Sequence, residues 1–373
     1  MSKKVIVLGV GLVGKAIAQD LSKSFNVTSA DIDIRSLETF SASGKVSIIH
    51  ADLSKSDTIK SIIKDFDLVV GALPGYMGYE TIKSVIEEKK DIIDISFFPE
   101  DPFPLDELAK NQNVTVITDC GVAPGMSNII LGYHNERMTI ENYKCFVGGL
   151  PFEREWPFEY KAVFSPIDVI EEYTRPARFI EEGKLVVKEA LTDPEIVHFE
   201  NVGDLEAWNS DGLRTLMKTI NIPNMIEKTL RYPGSIKYIK VLRDCGFFSY
   251  EEIKVNNNEI RPIDLSSKLL FPKWELKPGE EDFTVMRVIV EGLENGHKKS
   301  YVYDLYDKFD SVSKTTSMAR TTGYTCTAAV NLILEGGFSR KGICPPEYLG
   351  SDEKNFNFIL DYLKGRGIVF KVS

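Results

Sequence analysis

Short runs of β-branched and aliphatic residues alternate with amphipathic stretches through the first third of the chain. Val5–Leu8, Val27–Ala30, Val46–His50, Leu68–Gly71, Ile92–Ile95 and Val114–Thr118 are brief and largely apolar, the pattern of strands buried on both faces. Between them Lys15–Ser22, Ser56–Lys64 and Tyr79–Lys89 repeat apolar positions at helical spacing. This alternation predicts an α/β domain, a doubly wound parallel sheet joined by right-handed crossovers.

After Pro124 the rhythm changes. Alternating segments such as Tyr143–Val147 and Thr284–Val290 stand among turn-rich, proline-bearing stretches, which predicts an α+β domain on a mainly antiparallel sheet. Met318–Glu335 reads as a helix, with small residues at Ala328 and Ala329 and a stop at Gly336-Gly337. The expected division is 1–124, 125–315 and a helical segment 316–373 that packs back on the first domain.

Composition narrows the partners. At 373 residues the chain has room for about two domains. A formal charge of -10 without a basic stripe argues against nucleic acid. No apolar run reaches the roughly 18 residues of a membrane span. Lys3 and Lys4 lead straight into the first strand, which leaves no room for a signal peptide and predicts a cytoplasmic protein. Cysteines at 120, 145, 245, 326 and 344 make no CxxC pair, so neither a disulfide framework nor a metal site is expected.

The first chemistry-bearing motif is Gly9-Val10-Gly11-Leu12-Val13-Gly14, which follows an apolar strand and opens a helix. In that context GxGxxG marks a dinucleotide site of Rossmann type: Gly9 makes the tight turn, Gly11 admits the pyrophosphate and Gly14 lets the helix sit close. The helix start at Leu12 and Val13 offers N–H groups to the phosphates. Asp31, ending the second strand, sits where a carboxylate accepts the ribose hydroxyls, which favours NAD. Arg35, one turn on, keeps NADP open. Asp52, after the third strand, either reaches the adenine edge or shares a helix N-cap with Ser54.

In an open α/β sheet the ligand lies beyond the carboxyl ends of the strands. Strand four runs into Ala72, Leu73 and Pro74, a turn able to approach the nicotinamide ribose. Strand five ends on Asp94 and Ser96, and strand six on Asp119 and Cys120. Asp94 and Asp119 are candidates to hold an ammonium or act as base, or are structural caps. Pro124 suits a first helical turn whose N–H groups from Gly125 to Asn128, Ser127 among them, are placed for a carboxylate or the nicotinamide amide.

Further on stand Tyr173-Thr174-Arg175-Pro176-Ala177-Arg178, Leu205-Glu206-Ala207-Trp208, Asp211-Gly212-Leu213-Arg214-Thr215-Leu216, Thr229-Leu230-Arg231-Tyr232-Pro233-Gly234, Ser317-Met318-Ala319-Arg320-Thr321-Thr322-Gly323-Tyr324-Thr325 and Pro345-Pro346-Glu347. With the glycine turn they resemble the saccharopine dehydrogenase family over nearly the whole chain, most closely its lysine ε-dehydrogenase (lysine 6-dehydrogenase) branch. The resemblance implies a nicotinamide-dependent enzyme acting at a carbon that bears an amine. It also implies an amino-acid substrate, a second domain for substrate and dimerisation, hence a homodimer, and a late helix around Tyr324 returning to the first domain. Saccharopine and carboxynorspermidine-type reductases are alternatives, and a dinucleotide-binding regulatory protein is the non-enzymatic one. Ser235 follows the Arg231–Gly234 string where the lysine enzymes are expected to carry histidine.

From the residues alone, Arg231 suits a carboxylate through its planar fork or serves in a salt bridge. Arg214, Arg175 and Arg178 are rivals for that role. Tyr324 either contacts substrate or cofactor through its hydroxyl or fills an interface.

Overall fold

A computed structural model describes residues 3–41, 46–277 and 279–373. In chain order its elements begin with β1 (Lys4–Leu8), α1 (Leu12–Leu21), β2 (Asn26–Asp31), α2 (Ile34–Ser41), β3 (Ser47–His50), α3 (Ser56–Ile62), β4 (Leu68–Gly71) and α4 (Gly75–Glu87). Next come β5 (Asp91–Asp94), α5 (Asp106–Asn111), β6 (Thr115–Ile117), α6 (Met126–Asn135), β7 (Thr139–Pro151), α7 (Pro166–Thr174), β8 (Ala177–Glu181) and β9 (Lys184–Lys188). They continue with β10 (Glu195–Phe199), β11 (Gly203–Asn209), α8 (Leu216–Thr219), β12 (Asn224–Arg231), α9 (Ser235–Asp244), β13 (Ile253–Val255), β14 (Asn258–Ile260) and α10 (Pro262–Trp274). Last are β15 (Asp282–Glu294), β16 (His297–Lys308), α11 (Ser317–Leu334), β17 (Gly342–Ile343), α12 (Glu347–Gly350), α13 (Glu353–Lys364) and β18 (Phe370–Val372).

The chain divides into two compact units, Met1–Met138 with Ala319–Val369, and Thr139–Met318 with Phe370–Ser373. Among the described residues the first unit holds a seven-stranded sheet in the order β17-β6-β5-β4-β1-β2-β3, with every neighbouring pair parallel. Val5, Ile6, Val7 and Leu8 of β1 and Leu68, Val69 and Val70 of β4 are all fully buried, because helices cover both faces of a parallel sheet. Each such side chain contributes roughly 1.5–3 kcal/mol of gross burial energy. The strand order reverses between β1 and β4, which makes their carboxyl ends the switch point where open α/β sheets bind ligands.

The first unit runs on past residue 124 to Met138. Helix α6 belongs to it because Gly132 lies against the Glu347 backbone of α12, with room for no Cβ, and Gly350 of α12 lies as close to the Ile129 carbonyl. The helix expected from Pro124 starts only at Met126: Gly125 takes φ 135° and serves as N-cap, and the Ala123-Pro124 bond is cis.

Among the described residues the second unit is built on a nine-stranded sheet, β10-β11-β12-β7-β15-β16-β18 with β8 and β9 beside β12. Its pairs are antiparallel except β12 with β7, since the chain leaves β7 and returns through the intervening elements to the same edge. An aromatic core including Tyr160, Tyr173, Trp208 and Trp274 forms one cluster, and Phe146, Leu150, Leu230 and Phe283 belong to another. No described helix is long and apolar enough to cross a membrane, and no cluster of metal-ligating side chains occurs among the described residues.

Candidate active site

The glycines after β1 do three different jobs. Gly9 takes φ +104°, and a Cβ there would stand 2.3 Å from the Ala72 carbonyl oxygen; at Gly14 it would stand 2.1 Å from the Gly9 carbonyl oxygen. Both glycines are therefore required by the protein's own packing. Gly11 differs: it caps α1 in an extended conformation any residue can adopt, and a Cβ there meets nothing within 4 Å. Helix α1 has no side-chain cap hydrogen bond, so the N–H groups at Leu12 and Val13 sit at a positive helix end beside open space. A dinucleotide pyrophosphate fits that donor set.

Asp31 is half-buried at the end of β2. Its Oδ2 accepts the Val10 N–H at 2.6 Å and its Oδ1 the Asp33 N–H at 2.9 Å, which ties the acid to the glycine turn and leaves further lone pairs on both oxygens. Ile32 and Ile34 beside it are 63% and 39% exposed. Sequence reasoning passed over this pair, although apolar side chains just past a strand end are the signal for a flat apolar platform suited to a base. Arg35 is exposed at the start of α2. Asp52 accepts the Ser54 N–H at 3.1 Å and hydroxyl at 2.6 Å and pairs with Lys55 at 3.0 Å. The Ser54 hydroxyl above all, then Lys55, lowers its pKa to about 2. Asp52 thus closes a local turn, while the N-cap of α3 is Lys55 and has no side-chain cap hydrogen bond.

Ala72, Leu73 and Pro74 lie where β4 ends. The Ala72 N–H donates to the Leu8 carbonyl at 2.8 Å, and Pro74 is the N-cap of α4. Tyr76, on the first turn of α4, is 73% exposed. The two carboxylates lie deeper than a substrate-contacting base would. Asp94 is 0% and Asp119 2% exposed. Asp94 Oδ1 accepts the Ser96 N–H at 2.9 Å and the Ser96 hydroxyl. Its Oδ2 would stand 1.9 Å from a Cβ on Gly71, so only glycine leaves it room. Cys120 is also buried; its N–H donates to the Asp94 carbonyl at 3.0 Å. Burial, then Asp119 and Asp94, push its thiol well above the ordinary range.

The turn from Gly121 to Asn128 corrects another expectation. The Met126 N–H donates to the Gly121 carbonyl at 2.9 Å, the Ser127 N–H to the Val122 carbonyl at 3.1 Å, and the Gly125 N–H to Asn128 Oδ1 at 3.2 Å. The donors on Gly125, Met126 and Ser127 are thus spent on the helix start itself. Ser127 and Asn128 are fully buried; Ser127 Oγ donates to Asn128 Oδ1 and Asn128 Nδ2 to Glu347 Oε2 at 3.1 Å. Tyr324 is 7% exposed on α11, its ring facing the Arg320 and Arg366 guanidinium groups at 5.8 and 6.0 Å.

In the second unit Arg231 is 3% exposed. Its Nη2 donates to Glu172 Oε2 at 2.8 Å and its Nη1 to the Leu230 carbonyl, and the guanidinium lies 4.2 Å from the Tyr160 ring centroid. A carboxylate of the protein thus takes one nitrogen of the guanidinium, and the buried Nε makes no hydrogen bond. Arg178 grips Asp211 through two 2.8 Å bonds, and Arg175 pairs with Glu171 at 3.4 Å. Burial, then the like charge of Arg214, pulls Arg175 below the ordinary arginine value.

A buried hub not foreseen from sequence is Asp20 on α1. It accepts from the Thr327 hydroxyl at 2.7 Å, the Tyr362 hydroxyl at 2.8 Å and Arg366 Nε at 2.8 and 2.9 Å. This fastens the phosphate-facing helix to α11 and α13.

Comparison with known proteins fits this architecture. Residues 5–117 match the saccharopine dehydrogenase NADP binding domain and 121–368 the saccharopine dehydrogenase C-terminal domain. The mitochondrial alpha-aminoadipic semialdehyde synthase of Rattus norvegicus is 22% identical over all of this chain and 48% of its own length. The saccharopine dehydrogenase [NADP(+), L-glutamate-forming] of Pyricularia oryzae is 28% identical over 67% of this chain and 59% of its own length. The chain thus spans about half the length of the curated relatives it matches. Among solved structures, apo saccharopine dehydrogenase (L-Glu forming) from Saccharomyces cerevisiae has a TM-score of 0.79 at 19% identity, covering 100% of this chain and 99% of that one. The homospermidine synthase of Legionella pneumophila in complex with NAD has a TM-score of 0.70 at 11% identity, covering 100% and 91%. At those identities the likeness is one of fold. The cofactor of the first unit is a nicotinamide dinucleotide, and with both domain models matched in order along its length, this chain belongs to the saccharopine dehydrogenase family.

Proposed function

We propose that the chain is an NAD(P)-dependent oxidoreductase acting at the C–N bond of an amino acid, with the ε-amine of L-lysine as donor. The observation that carries the reading is the switch-point turn, where Gly11 faces open space over an uncapped helix start. Asp31 supports NAD as the cofactor, and the nicotinamide supplies a hydride acceptor when bound. The α1 N–H groups hold the pyrophosphate.

Loss of hydride beside an amine builds positive charge on the substrate carbon and nitrogen. We assign Asp94 and Asp119, buried beneath the strand ends, to electrostatic support of that charge rather than to contact with the substrate. The amine must enter neutral, so kcat/KM rises with pH toward the ordinary lysine pKa of about 10.4.

Lysine is favoured over a polyanionic substrate by the charge balance of the second unit. Arg231, Arg178 and Arg175 each already hold an acid, Glu172, Asp211 and Glu171. Lysine carries one carboxylate and a net positive charge; saccharopine carries three carboxylates. Saccharopine is the second reading, favoured by the activity for which the fungal relatives are named and by the proximity of Arg175 to Arg214.

The test incubates the protein with NAD or NADP and lysine, saccharopine or polyamine-like amines, following reduced-cofactor absorbance. Reduction with lysine supports the first reading and reduction with saccharopine alone the second. Silence throughout, with the cofactor still bound, leaves a regulatory dinucleotide-binding protein. We further propose a cytoplasmic homodimer. Cell fractionation checks the first, and light scattering checks the second, with twice the 42.0 kDa chain mass expected.

A further inference from the structure

We propose that the second unit carries, wholly within its own residues, a binding site for a small carboxylate with an apolar body, centred on Lys161. A cavity of about 220 Å³ opens there, walled by Trp156, Phe158, Tyr160 and Lys161, with Lys273 and Glu155 among its charged lining.

Lys161 is the unusual wall. Its side chain is 4% exposed, whereas lysines are almost never fully buried unless paired. The backbone is fixed one residue on, where the Ala162 N–H donates to the Trp274 carbonyl at 2.7 Å. The ammonium pairs with Glu155 Oε2 at 3.0 Å and more loosely with Glu280 Oε1 at 3.7 Å. Glu155, whose side chain is 60% exposed, sits on the solvent side. A ligand carboxylate can take its place as this exposed acid swings out, so the contact works as a latch.

The wall is aromatic as well as charged: Tyr160 is 5% exposed, and the buried Trp274 ring stands edge-on to Tyr160 and Phe158. The charges agree in sign: Lys161, Lys273 and Lys277 line the cavity against one acid, Glu155, and Glu280 reaches Lys161 from outside the lining. Trp156, 80% exposed, and Phe158 offer aromatic surface for the apolar body.

Titration calorimetry of the full chain with benzoate and hexanoate tests this, with hexylamine as the cationic control. We expect saturable binding of the acids and none of the amine. Lys161→Met should weaken binding at least tenfold, Lys161→Arg should retain it, and Glu155→Gln should tighten it severalfold by removing the competing acid. Absence of saturable binding to the unaltered protein, equal binding of hexylamine, or Lys161→Met binding as well as the unaltered protein overturns the proposal. Should Lys161→Met fail to fold, Glu155→Gln decides: tighter binding supports the latch and unchanged affinity refutes it. None of these readouts depends on turnover, so the outcome is independent of the reaction proposed above.

Discussion

The three glycines of the β1–α1 turn allow ligand geometry and folding geometry to be separated by single methyl groups. In Gly11→Ala the added carbon meets nothing within 4 Å of the protein, and its backbone is extended at φ -71°. Stability should change little: alanine is a poorer N-cap than glycine, but removing glycine from the unfolded chain returns about 0.4–1 kcal/mol. The same methyl projects where the pyrophosphate must lie. Loss of one charge-assisted hydrogen bond, worth about 1.5–3 kcal/mol, weakens cofactor binding roughly 10- to 150-fold. Gly9→Ala has the opposite profile. Its φ of +104° and the 2.3 Å approach to the Ala72 oxygen combine a left-handed penalty of about 1–2 kcal/mol with overpacking of about 1–3 kcal/mol. Thermal melting should therefore fall by many degrees for Gly9→Ala and stay nearly level for Gly11→Ala, while titration of NADH fluorescence shows the loss of affinity in Gly11→Ala. If Gly11→Ala binds NADH like the unaltered protein, the pyrophosphate does not lie over α1, and the proposed function loses its foundation.

Other expectations follow from charges. Asp31→Ala should weaken NAD binding far more than it alters the apparent KM for the amine; an improvement in NADP binding with NAD unchanged would reverse the cofactor preference. Arg231→Ala leaves Glu172, whose side chain is 20% exposed, without its partner and should cost about 1–3 kcal/mol in a denaturant melt, whereas a loss confined to substrate KM at unchanged stability would restore Arg231 as a substrate anchor. Asp282, buried under the start of α11, accepts from the Ser317 and Met318 N–H groups at 2.7 and 3.0 Å. Burial, only partly offset by those donors, raises its pKa to about 6 from 3.8. The folded chain thus takes up this proton before the unfolded one, so the penalty of the charged form, on the order of a few kcal/mol, is full above pH 6 and is relieved as pH falls from 6 towards 4. Melting curves of Asp282→Asn and the unaltered protein should converge on acidification, and parallel curves across that window would refute the assignment.

The strands and the glycine turn were legible because their signals are local. Val5–Leu8 is apolar throughout because helices cover both its faces, and Gly9, Gly11 and Gly14 occupy fixed offsets from it. That Asp31 ends the second strand was legible for the same reason. What failed was whatever depended on a distant partner. The N–H groups near Ser127 read as free because nothing nearby in sequence shows the Gly121–Gly125 backbone folding onto them. Arg231 read as an anchor because Glu172 lies 59 residues earlier. The burial of Asp94 is set by Gly71 on the neighbouring strand. Strand β17, two residues long, is too short for any periodicity and is defined only by its pairing with β6.

That small strand, with the Asp20 hub, has a consequence for how the protein is made. The dinucleotide fold is discontinuous: its sheet edge β17, the hydroxyls of Thr327 and Tyr362 and the guanidinium of Arg366 all come from the last sixty residues. The last strand of the other unit, β18, comes later still. Neither unit can reach its final state until these late segments have been made. A nascent chain carries an unfinished cofactor fold, with Asp20 lacking its Thr327, Tyr362 and Arg366 partners and one sheet edge bare, until residues 327–366 leave the ribosome.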